Sequence, residues 1–180
     1  GKDDMPHISY YDSGKGVLKY ARYSNKDWEI ETVDERDSVN VGLYTSIVVG
    51  NANVPHISYY DATFRTLKYA TKSGFHWETK VIDNYGDVGQ FSSIKLNIHG
   101  KPYITYYDAT YKRLKIAGID NHLRWIRLAI DYTENGDVGS DCSLVFDAVN
   151  NWHISYRDKG NRNLKYITLR PQTGEIKLIK

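Results

Sequence analysis

The stretch Pro6-His7-Ile8-Ser9-Tyr10-Tyr11-Asp12 decides the reading, because it comes back. It returns as Pro55-His56-Ile57-Ser58-Tyr59-Tyr60-Asp61, as Pro102-Tyr103-Ile104-Thr105-Tyr106-Tyr107-Asp108 and as Trp152-His153-Ile154-Ser155-Tyr156-Arg157-Asp158, at offsets of 49, 47 and 50 residues. A second block follows each copy at the same offsets: Leu18-Lys19-Tyr20-Ala21, Leu67-Lys68-Tyr69-Ala70, Leu114-Lys115-Ile116-Ala117 and Leu164-Lys165-Tyr166-Ile167. A third block opens with Trp28, Trp77 and Trp125, and its fourth copy is Gly174-Glu175-Ile176-Lys177-Leu178. Chance produces one such match, not three in register, and a period in this range is the mark of a repeat architecture.

Each block has the composition of a strand: Tyr, Ile, Val, Leu and Thr suit a pleated, half-buried surface. Clusters such as Gly50-Asn51-Ala52-Asn53 and Asn84-Tyr85-Gly86-Asp87 supply the turns between them. A complete unit reads as four strands, A to D: Ser46–Val49, His56–Tyr60, Leu67–Thr71 and Trp77–Ile82. Strand B carries sizeable side chains on both faces, as a sheet covered on both sides requires. No stretch holds a 3.6-residue apolar period, so no substantial helix is expected.

Four antiparallel strands per repeat predict an all-β fold, a β-propeller of about four blades. The kelch glycine pair, the Trp-Asp of WD repeats and the Asp-box of sialidases are absent from the sequence. A solenoid of this period would carry helices, and a β-sandwich would not repeat so regularly. The Pro-His-Ile-Ser-Tyr-Tyr-Asp and Leu-Lys-Tyr-Ala blocks resemble a propeller repeat of large bacterial and archaeal surface or secreted proteins. The resemblance covers nearly the whole chain and implies an extracellular or cell-surface location. The chain is also distantly similar to propeller polysaccharide lyases, with no catalytic residue carried across.

Composition fits this reading. Of 180 residues, 41% are hydrophobic and 26% charged, with a formal net charge of +2, which excludes the signature of disorder and gives no electrostatic reason to expect nucleic acid or membrane as partners. No apolar run approaches the length of a membrane-spanning helix, and the N-terminal residues do not read as a signal peptide. One cysteine, Cys142, rules out an internal disulfide. Of the 16 tyrosines, ten fall at repeat positions.

The repeats divide the chain at about 1–34, 35–83, 84–131 and 132–180 within a single propeller. The first unit begins at strand B and lacks an inner strand A, which leaves fifteen strands rather than sixteen. Three arrangements follow: a closed four-bladed ring, part of a longer propeller, or half of a dimeric eight-bladed ring. Self-association through the open inner edge of blade one is expected, because unpaired strand edges invite pairing.

A binding site is expected on the rim that carries the D-to-A and B-to-C loops. Two readings attach to Tyr-Tyr-Asp: aromatic and carboxylate groups suited to sugar recognition, or packing and turn chemistry, with the Asp accepting backbone N–H groups. The second is favoured, because the first Tyr and the Asp recur in all four copies and the second Tyr in three. Departures from the repeat are better ligand-binding candidates. Arg157 replaces the second Tyr, and with Lys159 and Arg162 forms a basic cluster able to grip a carboxylate or sulfate. Tyr85, Tyr132, Gln90, Phe91 and Asp141, with Asn40 and Tyr44 in the first loop, vary within the D-to-A loops and are expected at the channel mouth.

No cofactor is expected. Calcium at the Gly-Asp-Val-Gly loops would need six to eight converging oxygens, and zinc would need histidines that the repeat keeps a blade apart. His7, His56 and His153 are expected to be packed and hydrogen-bonded. Cys142 reads as a buried small side chain, Trp28, Trp77 and Trp125 as packing between blades, and Trp152 as partly exposed. The function expected is a non-catalytic binding module, carbohydrate-binding in the manner of a lectin. The alternatives are a structural blade array and a carbohydrate-active enzyme.

Overall fold

The computed structural model describes residues 3–36, 39–133, 136–172 and 175–179. They form fifteen strands in four antiparallel sheets, with one 3-10 turn, Asn51–Asn53. The first sheet holds β1 (His7–Asp12), β2 (Val17–Ser24) and β3 (Asp27–Asp34). The second holds β4 (Val41–Val49), β5 (Pro55–Asp61), β6 (Thr66–Ser73) and β7 (His76–Asp83). The third holds β8 (Val88–Leu96), β9 (Pro102–Asp108), β10 (Arg113–Ile119) and β11 (Trp125–Asp131). The fourth holds β12 (Val138–Phe146), β13 (Trp152–Asp158), β14 (Asn163–Gln172) and β15 (Glu175–Ile179). Each sheet is a meander in which strand neighbours follow chain order. The first sheet has strands B, C and D only.

The sheets pack in sequence, first on second, second on third and third on fourth; among the described residues no comparable packing joins the first sheet to the fourth. A core fills each of the three junctions. Leu18, Tyr20 and Val33 meet Val41, Ile57, Tyr59 and Ala70. Leu67, Tyr69 and Ile82 meet Val88, Ile94, Ile104 and Tyr106. Leu114, Ile116 and Ile130 meet Val138, Leu144, Ile154 and Tyr156. The inner strand of each following sheet contributes a glycine that must be glycine. Gly42, Gly89 and Gly139 have φ of 113°, 112° and 106°, and a Cβ there would stand 2.8, 2.7 and 2.6 Å from the Cα of Leu18, Leu67 and Leu114. Backbone therefore lies directly on the strand-C leucine of the sheet before it.

The Tyr-Tyr-Asp motif is structural, and its three positions have three partners. Successive strand residues face opposite sides of a sheet. The first Tyr bonds backwards: the hydroxyls of Tyr59, Tyr106 and Tyr156 donate to Oδ2 of Asp34, Asp83 and Asp131 at 2.7, 2.7 and 2.5 Å. The strand-C lysines Lys68, Lys115 and Lys165 donate to those same carboxylates. The second Tyr bonds forwards: Tyr60 donates to Asp87 Oδ1 at 2.8 Å and Tyr107 to Asp137 Oδ1 at 2.7 Å. The Asp caps its own turn. Asp12, Asp61, Asp108 and Asp158 accept the backbone N–H of Gly14, Phe64, Tyr111 and Asn161 at 2.9–3.1 Å. This accounts for Asp87 and Asp137 of the Gly-Asp-Val-Gly segments as acceptors for tyrosine.

The strand-B histidines are packed and bonded as expected: Nδ1 of His7 and His56 lies 2.6 and 2.5 Å from the hydroxyls of Tyr20 and Tyr69, and His153 pairs with Tyr166. Cys142 is buried, and burial pushes its thiol up to about 12. Trp77 and Trp125 meet Tyr20 and Tyr69 of the preceding sheet at 5.1 and 5.2 Å between ring centroids. Two expectations fail. Trp28 does not sit between sheets: it is 42% exposed and touches Tyr23 of its own sheet, because among the described residues no sheet precedes the first. Trp152 is not exposed: at 2% exposure it is enclosed by Tyr103 and Phe146.

Candidate functional site

The inner strands start earlier than the sequence suggests. Val41, Val88 and Val138 already pair with Asp61, Asp108 and Asp158. Tyr44, Gln90, Phe91 and Asp141, expected in the D-to-A loops, are therefore strand residues. The cause is the buried glycine contact, which draws the Val-Gly pair into the sheet. Only Asn40, Tyr85 and Tyr132 of that group lie in connections.

Each inner strand then bulges, with register shifts after Leu43, Gln90 and Ser140. In each bulge a non-glycine residue occupies left-handed backbone: Tyr44, Phe91 and Asp141, with φ of 51°, 54° and 53°. For aromatic residues this conformation costs about 1–2 kcal/mol. Bulges re-aim side chains, and here all three side chains belong to one strip crossing the second, third and fourth sheets. The rings of Tyr44 and Phe91 are 4.6 Å apart, and Tyr60 and Tyr107 stand behind them at 5.9 and 6.3 Å. Lys159 continues the strip, its Nζ 4.9 Å from the Tyr107 ring centroid and 5.7 Å from that of Phe91. Asp141 and Arg157 close it, with carboxylate and guanidinium 4.0 Å apart. Gln90 is tied in from the side, donating to Asp87 Oδ1 at 3.2 Å. Tyr44, Asp141 and Arg157 are exposed.

The tyrosines behind the strip are held as neutral hydrogen-bond donors. Burial, reinforced by the bond to Asp87, pushes Tyr60 up to about 12. Burial and Asp137 raise Tyr107 further. At neutral pH the strip thus offers apolar ring faces, one carboxylate and two fixed cations.

The remaining sequence candidates fall elsewhere. Arg157, Lys159 and Arg162 do come together, around an open depression of about 490 Å³ that Asn163 and Leu164 complete. Arg162, however, belongs to the outward end of the fourth sheet rather than to the aromatic strip. Its counterparts Gly16, Arg65 and Lys112 each give their carbonyl to the backbone N–H of Val41, Val88 and Val138 in the following sheet. Tyr85 stacks on Tyr111 at 6.5 Å, and Arg113 lies over the Tyr111 ring at 4.5 Å, forming a separate notch. Tyr132 is exposed in the next D-to-A connection. Asn40 serves the turn: its N–H donates to Thr63 and its carbonyl accepts from Ala62. The Phe91–Lys159 contact escapes sequence reading, because its two residues lie in different repeats and nothing in either repeat announces the other.

No family model matches this chain, and no curated protein matches it. Solved structures do. AofleA from Arthrobotrys oligospora matches at 11% identity with a TM-score of 0.66, covering 98% of this chain and 53% of that one. A triple arginine-to-alanine mutant of the same protein matches at 13% and 0.62, over 98% and 56%. A bifunctional GH43-CE protein of Bacteroides eggerthii matches at 10% and 0.58, over 97% of this chain and 26% of that one. The chain spans about half the length of the AofleA chains it matches, and at these identities the likeness is one of fold: four antiparallel sheets in a propeller-like arrangement.

Proposed function

We propose that the chain is a non-catalytic carbohydrate-binding module of propeller type, acting outside the cell or on its surface. The observation that carries this is the strip built from three strained bulges. Tyr44 and Phe91 offer ring faces on which the C–H surface of a sugar stacks, while Lys159, Arg157 and Asp141 supply charged hydrogen-bonding groups beside them. The paired cations favour a sugar bearing a carboxylate or sulfate.

The test is a glycan array probed with the chain, with Tyr44→Ala and Lys159→Ala as variants. Retention of acidic glycans is expected, falling at least tenfold in either variant and unchanged in Tyr85→Ala, which lies in the separate notch. Absence of retention for every glycan would overturn the reading. Release of unsaturated products from a uronate polymer would move the assignment to a carbohydrate-active enzyme. The second reading, a structural array of blades, is favoured by the three like junctions that the repeat builds.

A further inference from the structure

Among the described residues the four sheets leave two faces bare, and residue by residue these match the two halves of the internal junctions. At the three internal junctions the strand-C leucines Leu18, Leu67 and Leu114 are fully buried by the following sheet, whereas their counterpart Leu164 is 81% exposed. Tyr20, Tyr69 and Ile116 are likewise buried, and their counterpart Tyr166 is 61% exposed. Val145, on the same face of the inner strand as the half-buried Val48, is also exposed. At the opposite end, Ile57, Ile104 and Ile154 are fully buried against the preceding sheet, and their counterpart Ile8 is 45% exposed. Ile30 and Trp28 share that bare face and are exposed as well.

The aromatic positions show how the halves fit. Tyr20 meets Trp77 and Tyr69 meets Trp125 across their junctions. Tyr166 and Trp28 are the two members of this pairing that lack the other. A fourth-sheet face set against a first-sheet face would restore it, together with a Leu164 to Ile8 apolar contact.

We propose that the chain associates head to tail, with the fourth-sheet face of one copy seated on the first-sheet face of a second. The inference does not rest on the sugar reading, since Tyr166, Ile8 and Trp28 lie outside the aromatic strip, and Leu164 alone borders the depression that Arg157 and Lys159 also line. It also moves self-association from the inner edge of β1 to the broad faces. The contact is heterologous, so it propagates into a ring or a filament rather than stopping at a two-fold dimer.

Sedimentation velocity over a concentration series tests it, with Leu164→Asp blocking one face and Ile8→Asp the other. Both sites are exposed, and circular dichroism checks that each variant keeps its strand signal. The wild-type mass is expected to rise with concentration, and each variant alone to stay monomeric. An equimolar mixture of the two variants is expected to form a dimer and no larger species, because each supplies the face the other has lost. A wild-type chain that is monomeric throughout, a variant that still associates alone, or a mixture that stays monomeric would each overturn the proposal.

Discussion

Asp83 illustrates how single residues hold the sheets together. It is 2% exposed and accepts from both Lys115 Nζ, at 2.5 Å, and the Tyr106 hydroxyl, at 2.7 Å. Burial raises the cost of its charge, but the bonds from Lys115, Tyr106 and the Tyr85 N–H outweigh it and hold the carboxyl below its usual range. Asp83→Asn is expected to destabilise the chain by about 3 kcal/mol, since it removes the nearer of the two carboxylates facing the buried Lys115 and leaves only Asp108 Oδ2, at 3.8 Å; chemical denaturation measures it. A depressed carboxyl stabilises the fold above the unfolded-state value. That contribution is therefore complete above about pH 4 and lost as pH falls below it. Thermal unfolding followed from pH 6 to pH 3 should show the wild-type melting temperature falling more steeply than that of Asp83→Asn. The sequence makes the turn role of the motif Asp legible, because that bond is local. The partners of the two tyrosines are not legible: Tyr106 and Asp83 are 23 residues apart, and Tyr107 and Asp137 are 30 apart.

At the scale of elements, the repeat positions are chemically alike but not energetically alike. Leu67→Ala removes a fully buried side chain on which Gly89 rests, and should cost about 2–5 kcal/mol. Leu164→Ala, the same change at the same repeat position, should stay within about 0.5 kcal/mol, since Leu164 is exposed. Denaturant midpoints of the two variants give the comparison. Gly89→Ala should destabilise by at least about 1 kcal/mol, because its φ of 112° and the 2.7 Å approach to Leu67 Cα both exclude a side chain. Strand identity and order are legible in the sequence, since period, composition and turns agree. The start of each inner strand is not, because Val41, Val88 and Val138 enter the sheet through the glycine contact with the preceding sheet, a tertiary effect. For the same reason the bulge residues Tyr44, Phe91 and Asp141 read as loop in the sequence.

For the whole molecule, the repeat explains both what is covered and what is bare. Three like junctions bury Tyr20, Tyr59, Tyr69, Tyr106 and Tyr156, and the two end faces expose the repeat positions Ile8, Leu164 and Tyr166. Of the candidate site, Arg157 and Lys159 are near in sequence and line one depression in the structure, and Tyr44 and Asp141 stand out in the sequence as departures from the repeat. The sequence places Tyr85 and Tyr132 with them, although the D-to-A connections carry Tyr85 to the notch with Tyr111. The assembled strip, not the repeat motif, is what a ligand would meet. The most direct measurement is a nuclear magnetic resonance titration of the isotope-labelled chain with an acidic oligosaccharide retained on the array. Saturable shifts at Tyr44, Phe91, Asp141 and Lys159, with the amides around Tyr85 and Tyr111 unmoved, are the expected result. Shifts confined to the Tyr85–Tyr111 notch, or no saturable shift at any sugar concentration, would contradict it.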